Sequence, residues 1–257
     1  MRPAHETKNE TRVECTVADR TYVLTQSSTS GETGSTVWLS SQVLATYLAS
    51  RLKQPSTVGA ERPTCLELGA GTGLVSLVVR DLGYAVTATD SGAVLPLLQH
   101  NVSTNPPTAT ATATTTTAAA AAGSCRVEEM DWCRVSGQSN ETFPLLVCAD
   151  VVYSPALLGP LLRTIERHAR ARTTLYLAQE VRTPALMDAF LEACRASFKV
   201  MRVPTAEIVK LETLLRRANA VEQKGDGDGD DEDEGADWSG VEIYKCKLKP
   251  DALKGRR

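Results

Sequence analysis

Residues 64–74 read Thr64-Cys65-Leu66-Glu67-Leu68-Gly69-Ala70-Gly71-Thr72-Gly73-Leu74. Thr64–Leu68 is a short strand, and a glycine-rich turn follows it directly. Leu74–Leu82 then has helical spacing and stops at Gly83; Tyr84–Thr89 is a second strand that stops at Asp90, and Ala93–Val102 a second helix. Strand, helix, strand, helix is the pattern of a parallel sheet with crossover helices. Glycines between a strand and a helix let the chain turn sharply and come close to a ligand. The carboxyl ends of strands are where open α/β sheets bind ligands.

The alternation resumes downstream. Strands are expected at Ser124–Met130, Phe143–Ala149, Thr173–Ala178, Phe198–Val203 and Val241–Leu248, and helices at Ala156–Ala169, Pro184–Ala196 and Ala206–Ala220. The main body therefore has seven strands, and the fold class is α/β. Two stretches interrupt it. Pro106–Gly123 is almost pure Ala, Thr and Pro, and Gly225–Gly235 is acidic and glycine-rich; both read as solvated insertions. The acidic run fails as a calcium loop, because Gly and Glu do not stand where an EF-hand needs them. Upstream, Val13–Val17 and Tyr22–Thr25 read as a hairpin. Ser35–Leu52 reads as an amphipathic helix on the spacing of Val43, Leu44, Tyr47, Leu48 and Leu52. Residues 1–33 are thus an arm and hairpin, 34–250 the main domain, and 251–257 a basic tail.

Composition narrows the function classes. The formal net charge is −3, and the run Asp226–Glu234 carries much of the negative charge, so the remainder is mildly basic. No stripe of Lys and Arg interleaved with aromatics accompanies that charge, so a nucleic-acid partner is not expected. No apolar run is long enough to span a bilayer, and residues 1–10 are polar, which argues against a secretory signal. The seven cysteines form no CxxC pair and are odd in number. Cys65 and Cys148 sit in apolar runs as small hydrophobes, so disulfides and a metal site are not expected. A reducing compartment, cytoplasmic or nuclear, fits this usage.

The glycine loop, bounded by Glu67 and Gly73, gives the first candidate site. Asp90 ends the next strand, where an acid can accept hydrogen bonds from both ribose hydroxyls; its structural alternative is an N-cap. A dinucleotide site has its third glycine where Leu74 stands, and it wants a helix N-terminus facing pyrophosphate. The spacing therefore favours S-adenosylmethionine (SAM), which has no phosphate. Trp132, after Asp131, offers an indole to lie on an adenine, or else fills core. Asp150 follows the apolar run Leu145–Ala149. It can hold a lysine ammonium by a charge-assisted bond, with Tyr153 as an aromatic wall, or these two are a cap acid and a rim tyrosine. The histidines His5, His100 and His168 form no catalytic set with a serine, and His100 and His168 read as helix-surface residues.

Four segments together carry a resemblance: Val37-Trp38 with Leu44-Ala45-Thr46-Tyr47-Leu48, the loop Leu66–Leu74, Asp131-Trp132, and Ala149-Asp150-Val151-Val152-Tyr153. On these the chain resembles the seven-β-strand SAM-dependent methyltransferases and, within them, methyltransferase family 16, a group of protein-lysine methyltransferases. The resemblance covers residues 34–205 and the last strand. It implies a Rossmann-like twisted sheet in the order 3-2-1-4-5-7-6 with the last strand antiparallel. It implies that Trp38, Gly69, Ala70, Gly71, Asp90, Trp132 and Ala149 contact SAM, and that Asp150 and Tyr153 stand on the acceptor side. It also implies a monomer acting on a protein such as a chaperone, an ATPase or a translation factor. Two alternatives stay open: a small molecule or another side chain as acceptor, and a SAM-binding module without catalysis. The two insertions depart from the family pattern, and both fall in loops.

Overall fold

A strand buried on both faces has to lie inside a sheet that helices cover on both sides. Thr64–Leu68 is such a strand, with Cys65, Leu66, Glu67 and Leu68 all buried. The computed structural model describes residues 1–27, 33–55, 62–107, 123–134, 140–223 and 238–253. Most of the Ala/Thr run, the whole acidic run and Lys254, Arg256 and Arg257 of the tail lie outside the described residues.

The chain opens with a short helix α1 (Ala4–Thr7), the strands β1 (Arg12–Val17) and β2 (Arg20–Thr25), and helix α2 (Leu39–Arg51). Then come β3 (Thr64–Leu68), α3 (Leu74–Asp81), β4 (Ala85–Asp90), α4 (Leu95–Thr104), β5 (Ser124–Glu129) and β6 (Phe143–Ala149). The rest is α5 (Pro155–His168), β7 (Ala169–Glu180), α6 (Pro184–Ser197), β8 (Phe198–Arg202), α7 (Thr205–Gln223) and β9 (Val241–Leu248). The large sheet runs β5-β4-β3-β6-β7-β9-β8. Strands β3 to β7 pair in parallel, while β9 is antiparallel to both β7 and β8. In the order of the main strands this is the expected 3-2-1-4-5-7-6.

Side-chain alternation splits the core into two layers. Cys65, Leu145, Val147, Tyr176, Ala178 and Ile243 face α2 and α3. Leu66, Leu68, Leu146, Cys148, Leu175, Leu177 and Cys246 face Leu161 and Ile165 of α5 and Phe190 and Cys194 of α6. The seven cysteines are free thiols, five of them buried. No helix among the described residues is long and apolar enough to cross a membrane.

The structure departs from the sequence expectations in three places. The helix expected from Ser35 begins at Leu39, because Trp38 is extended (φ −84°, ψ 147°). Just before it, the Val37 N–H donates to Gln26 Oε1 at 2.6 Å rather than to a helical carbonyl. That same helix is not amphipathic: Leu39, Ser40 and Gln42 to Leu48 are all buried. Its outer side is covered by the N-terminal residues, where Gln42 Nε2 donates to the Arg2 carbonyl at 2.8 Å, and the hairpin's Val13, Cys15 and Leu24 join its core layer. Finally, His168 is buried rather than on the surface, with its ring near Phe143 (centroids 6.0 Å apart) and Nδ1 2.6 Å from the Glu141 carbonyl oxygen. Burial lowers its pKa, against the hydrogen bond to the Glu141 carbonyl.

Candidate functional site

The tips of β3, β4, β6 and β7 surround a cleft open to solvent. Its floor is the turn after β3. Gly69 (φ +68°) and Gly71 (φ +55°) lie in the left-handed region, which costs other residues about 1–2 kcal/mol. Space is as restrictive as conformation. A Cβ on Gly69 would stand 2.9 Å from Val151 Cγ1 and 3.3 Å from Trp132 Cζ2, and one on Gly71 would stand 3.1 Å from the Gly34 carbonyl oxygen. Backbone and indole therefore meet where a side chain would otherwise fill the cleft.

Asp90 braces this turn. Its Oδ2 accepts from the Gly71 N–H at 2.8 Å and its Oδ1 from the Ser91 N–H at 2.7 Å. It does not cap α4, whose N-cap is Val94. Glu67 lies beneath the turn, hydrogen-bonded to Ser76 Oγ. Burial pushes its carboxyl up to about 8 against the Ser76 bond, with a smaller push from Asp90; at neutral pH Glu67 is largely protonated.

Thr33, Gly34, Thr36 and Trp38 form the wall opposite β6. Trp38 Nε1 donates to the Thr33 carbonyl at 2.9 Å, which fixes the indole. Trp132, after β5, covers Gly69 from the other side. Its Nε1–H is buried and has no acceptor among the described residues. A buried donor left without a partner costs about 1–3 kcal/mol, so a ligand that accepts from it would be stabilised.

The side of the cleft at the tips of β6 and β7 is built of charge. Asp150 leaves β6 at φ +58°, a conformation Asp and Asn tolerate better than other non-glycine residues. Its N–H donates to the Ala178 carbonyl at 2.9 Å. Gln179, next on β7, donates from Nε2 to Asp150 Oδ1 at 2.5 Å and accepts from the Val152 N–H at 3.0 Å. Arg182 Nη2 donates to Asp150 Oδ2 at 2.9 Å. Burial raises the Asp150 pKa, and the bond and charge of Arg182 oppose the rise. Tyr153, 49% exposed, stands at the mouth of the cleft.

The cleft thus brings together Trp38, Glu67, Gly69, Ala70, Gly71, Asp90, Trp132, Ala149, Asp150 and Tyr153. Gly73 is not among its lining residues: a Cβ there would stand 2.7 Å from Leu98 Cδ1, so this position faces α4. The sequence reading missed Arg182 and Gln179. Their signal was position, since Gln179 and Glu180 end the strand paired beside β6 through Ala149 and Ala178, and Arg182 stands two residues beyond it.

A protein-family model described as lysine methyltransferase matches residues 18–196. A Bos taurus protein named protein-lysine methyltransferase METTL21E is 34% identical over 148 residues, 56% of this chain and 46% of that protein. A Danio rerio protein N-lysine methyltransferase METTL21A is 29% identical over 206 residues, 78% of this chain and 85% of that protein. Against the METTL21E relatives the chain spans about half their length. Among solved structures, the T. thermophilus 16S rRNA N2 G1207 methyltransferase in complex with AdoMet and guanosine superposes with a TM-score of 0.54 at 13% identity, covering 93% of this chain and 50% of that one. At that identity the likeness concerns the fold alone. With the family match spanning most of its length, the chain belongs to the lysine methyltransferase family.

Proposed function

We propose that this protein is a SAM-dependent methyltransferase that modifies lysine side chains of a protein substrate. The observation that carries the reading is the pairing, in one cleft, of a backbone cradle braced by Asp90 with the buried carboxylate of Asp150 beside Tyr153. When bound, SAM supplies a methyl group carried on a sulfonium for in-line transfer to a neutral amine. The residues fit such a ligand. Gly69 and Gly71 let Val151, Trp132 and Gly34 close on the turn that lines the cleft, Trp132 offers an unused indole donor, and Asp90 presents a carboxylate to the same cleft.

The chain's own work on the amine follows from charge and dryness. A lysine ammonium has no lone pair, and its reference pKa is about 10.4. Asp150 draws the ammonium in by a charge-assisted bond. Desolvation between Tyr153 and Trp38 then disfavours the charged form and lowers that pKa, so the ammonium gives a proton to water at the open mouth of the cleft before transfer. Transfer needs no covalent enzyme intermediate, so positioning supplies much of the rate. We place this activity in a reducing compartment, cytoplasmic or nuclear, on the seven free thiols. The working form is a monomer, and the substrate is a protein of the chaperone, ATPase or translation-factor kind rather than nucleic acid.

Calorimetry with SAM, followed by a tritiated-methyl assay on cell lysate, tests this reading. The expected result is cofactor binding and a labelled polypeptide with the methyl on lysine nitrogen, absent with the Asp150→Asn variant. Label confined to small molecules overturns the protein substrate; absence of SAM binding overturns the methyltransferase itself.

A further inference from the structure

The carboxylate that the proposed function gives to the incoming ammonium already holds a cation. Arg182 Nη2 is shared between two carboxylates: it donates to Asp150 Oδ2 at 2.9 Å and to Glu180 Oε2 at 2.6 Å. The guanidinium also lies over the Trp38 ring, with its carbon 4.8 Å from the centroid. The two carboxylates differ in one respect that decides the energetics. The Asp150 side chain is 3% exposed, whereas that of Glu180 is 38% exposed and that of Arg182 45% exposed.

If Arg182 lets go of Asp150, it keeps its bond to Glu180, its ring contact and its water. Asp150 keeps Gln179 Nε2 on Oδ1 and a backbone hydrogen bond from Glu180, but both donors are neutral, and a buried carboxylate without a counter-charge is strongly unfavourable. Release is therefore cheap for the arginine and costly for the aspartate, unless another cation arrives. Arg182 and Tyr153 both line the cleft with Asp150, so a cation arriving there meets the vacated oxygen.

We propose that Arg182 is the resident cation of the acceptor site, standing on Asp150 in place of the substrate ammonium and giving that carboxylate up, onto Glu180 and Trp38, only to another cation. The inference rests on the lysine-methyltransferase reading and deepens it. Arg182 makes the site select cationic side chains over neutral ones, because a neutral side chain cannot offset the charge that the arginine leaves behind. It also weakens binding of a lone amine, so the surrounding protein surface of the substrate has to supply the rest of the affinity. Arg182 acts through Asp150, as a specificity-determining and positioning residue.

The test uses the full chain saturated with S-adenosylhomocysteine and n-butylammonium chloride as the probe, titrated by NMR on the Arg182 Nε–H and Trp38 Nε1–H signals. In the parent protein the Arg182 signal is expected to shift as the probe binds. Arg182→Met is expected to bind the probe about tenfold more tightly, the order of one charged hydrogen bond no longer competed for. Arg182→Lys is expected to stay near the parent, and n-butanol to gain nothing in any of the three. Structural damage would loosen binding, so tightening is a readout that damage does not mimic. Equal or weaker probe binding by Arg182→Met overturns the inference, as does an Arg182 signal that ignores the probe. If Arg182→Met does not fold, the parent signal and Arg182→Lys still decide. SAM titration of the parent separates the failures: a parent that fails to bind SAM sinks the underlying reading, whereas one that binds SAM without competition from Arg182 sinks this inference alone.

Discussion

At the tips of β3 and β4 the cleft is made of backbone: two left-handed glycines, the N–H of Gly71, and a carboxylate that holds that N–H in place. At the tips of β6 and β7 it is made of side-chain charge: Asp150, Arg182 and Glu180, with Gln179 holding Asp150. Each half contains one buried carboxyl, and burial pushes both toward the neutral form. Glu67 is met by the hydroxyl and backbone N–H of Ser76, with the like charge of Asp90 nearby, and reaches about 8. Asp150 has a guanidinium, which opposes the push. The two buried carboxyls therefore differ in their company: one lies under the cradle against Ser76, and the other is paired with the guanidinium of Arg182.

The comparison breaks most completely at the cradle. Gly71→Arg places a side chain at φ +55° and 3.1 Å from the Gly34 carbonyl, which adds left-handed strain to a filled cleft. SAM titrated into this variant is expected to give no heat at concentrations that saturate the parent, while circular dichroism shows the sheet retained. Unchanged binding would remove the cradle from the cofactor site.

At the tips of β6 and β7 the loss expected from the proposed function is confined to the chemistry. Asp150→Asn keeps the φ of +58° accessible and keeps an oxygen for Gln179 Nε2. It removes the charge that faces Arg182, and loss of one partner of a buried charge pair costs about 2–5 kcal/mol. Methyl transfer should fall at least about thirtyfold, with the SAM dissociation constant within about threefold of the parent. A parallel loss of both would mean that the two halves are not separable.

How much of this was legible in the sequence follows the same division. The cradle is contiguous, with Gly69, Gly71 and Asp90 each at the end of a strand that its own neighbours announce, and the fold could be read outward from it. Asp150 was legible for the same reason. Arg182 and Gln179 were not, because they reach Asp150 only through the parallel pairing of β6 and β7, a contact between segments far apart in the chain. Local pattern failed likewise at α2. The helix looks amphipathic until the N-terminal residues and hairpin cover its polar side, burying Ser40, Gln42 and Thr46. It misplaced His168 because helix spacing does not reveal a ring turned under the sheet onto the Glu141 carbonyl.

The contrast between the two carboxyls can be sharpened by pH. Between pH 4.5 and about 8 the folded protein holds on Glu67 a proton that the unfolded chain has lost. The stability that neutral Glu67 contributes is therefore complete below pH 4.5 and declines as pH rises through 8. Urea midpoints across that window should fall with pH, by an amount no larger than about 5 kcal/mol in the free energy. Glu67→Gln keeps a partner for Ser76 and should flatten the slope; a slope that survives the substitution would assign it to other groups.

The smallest expected effect concerns what ties the cradle to the N-terminal hairpin. Asn101 of α4 is fully buried. Its Nδ2 donates to the carbonyls of Thr25 and Thr72, both at 3.0 Å, and its Oδ1 accepts from the Thr25 N–H at 2.9 Å. One side chain thus joins β2 to the glycine turn, and through β2 to the segment carrying Gly34 and Trp38. Asn101→Ala leaves two carbonyls and one N–H without their partner, a cost of about 3 kcal/mol, which lowers Tm by roughly 6–12 °C in a chain of this size. The backbone of the cradle is still braced by Asp90, so SAM affinity should drop only about threefold. A larger drop in affinity than in stability would show that the hairpin, and not Asp90, sets the position of the turn, and the division between a backbone half and a charge half would then have to be redrawn to include the N-terminal segment.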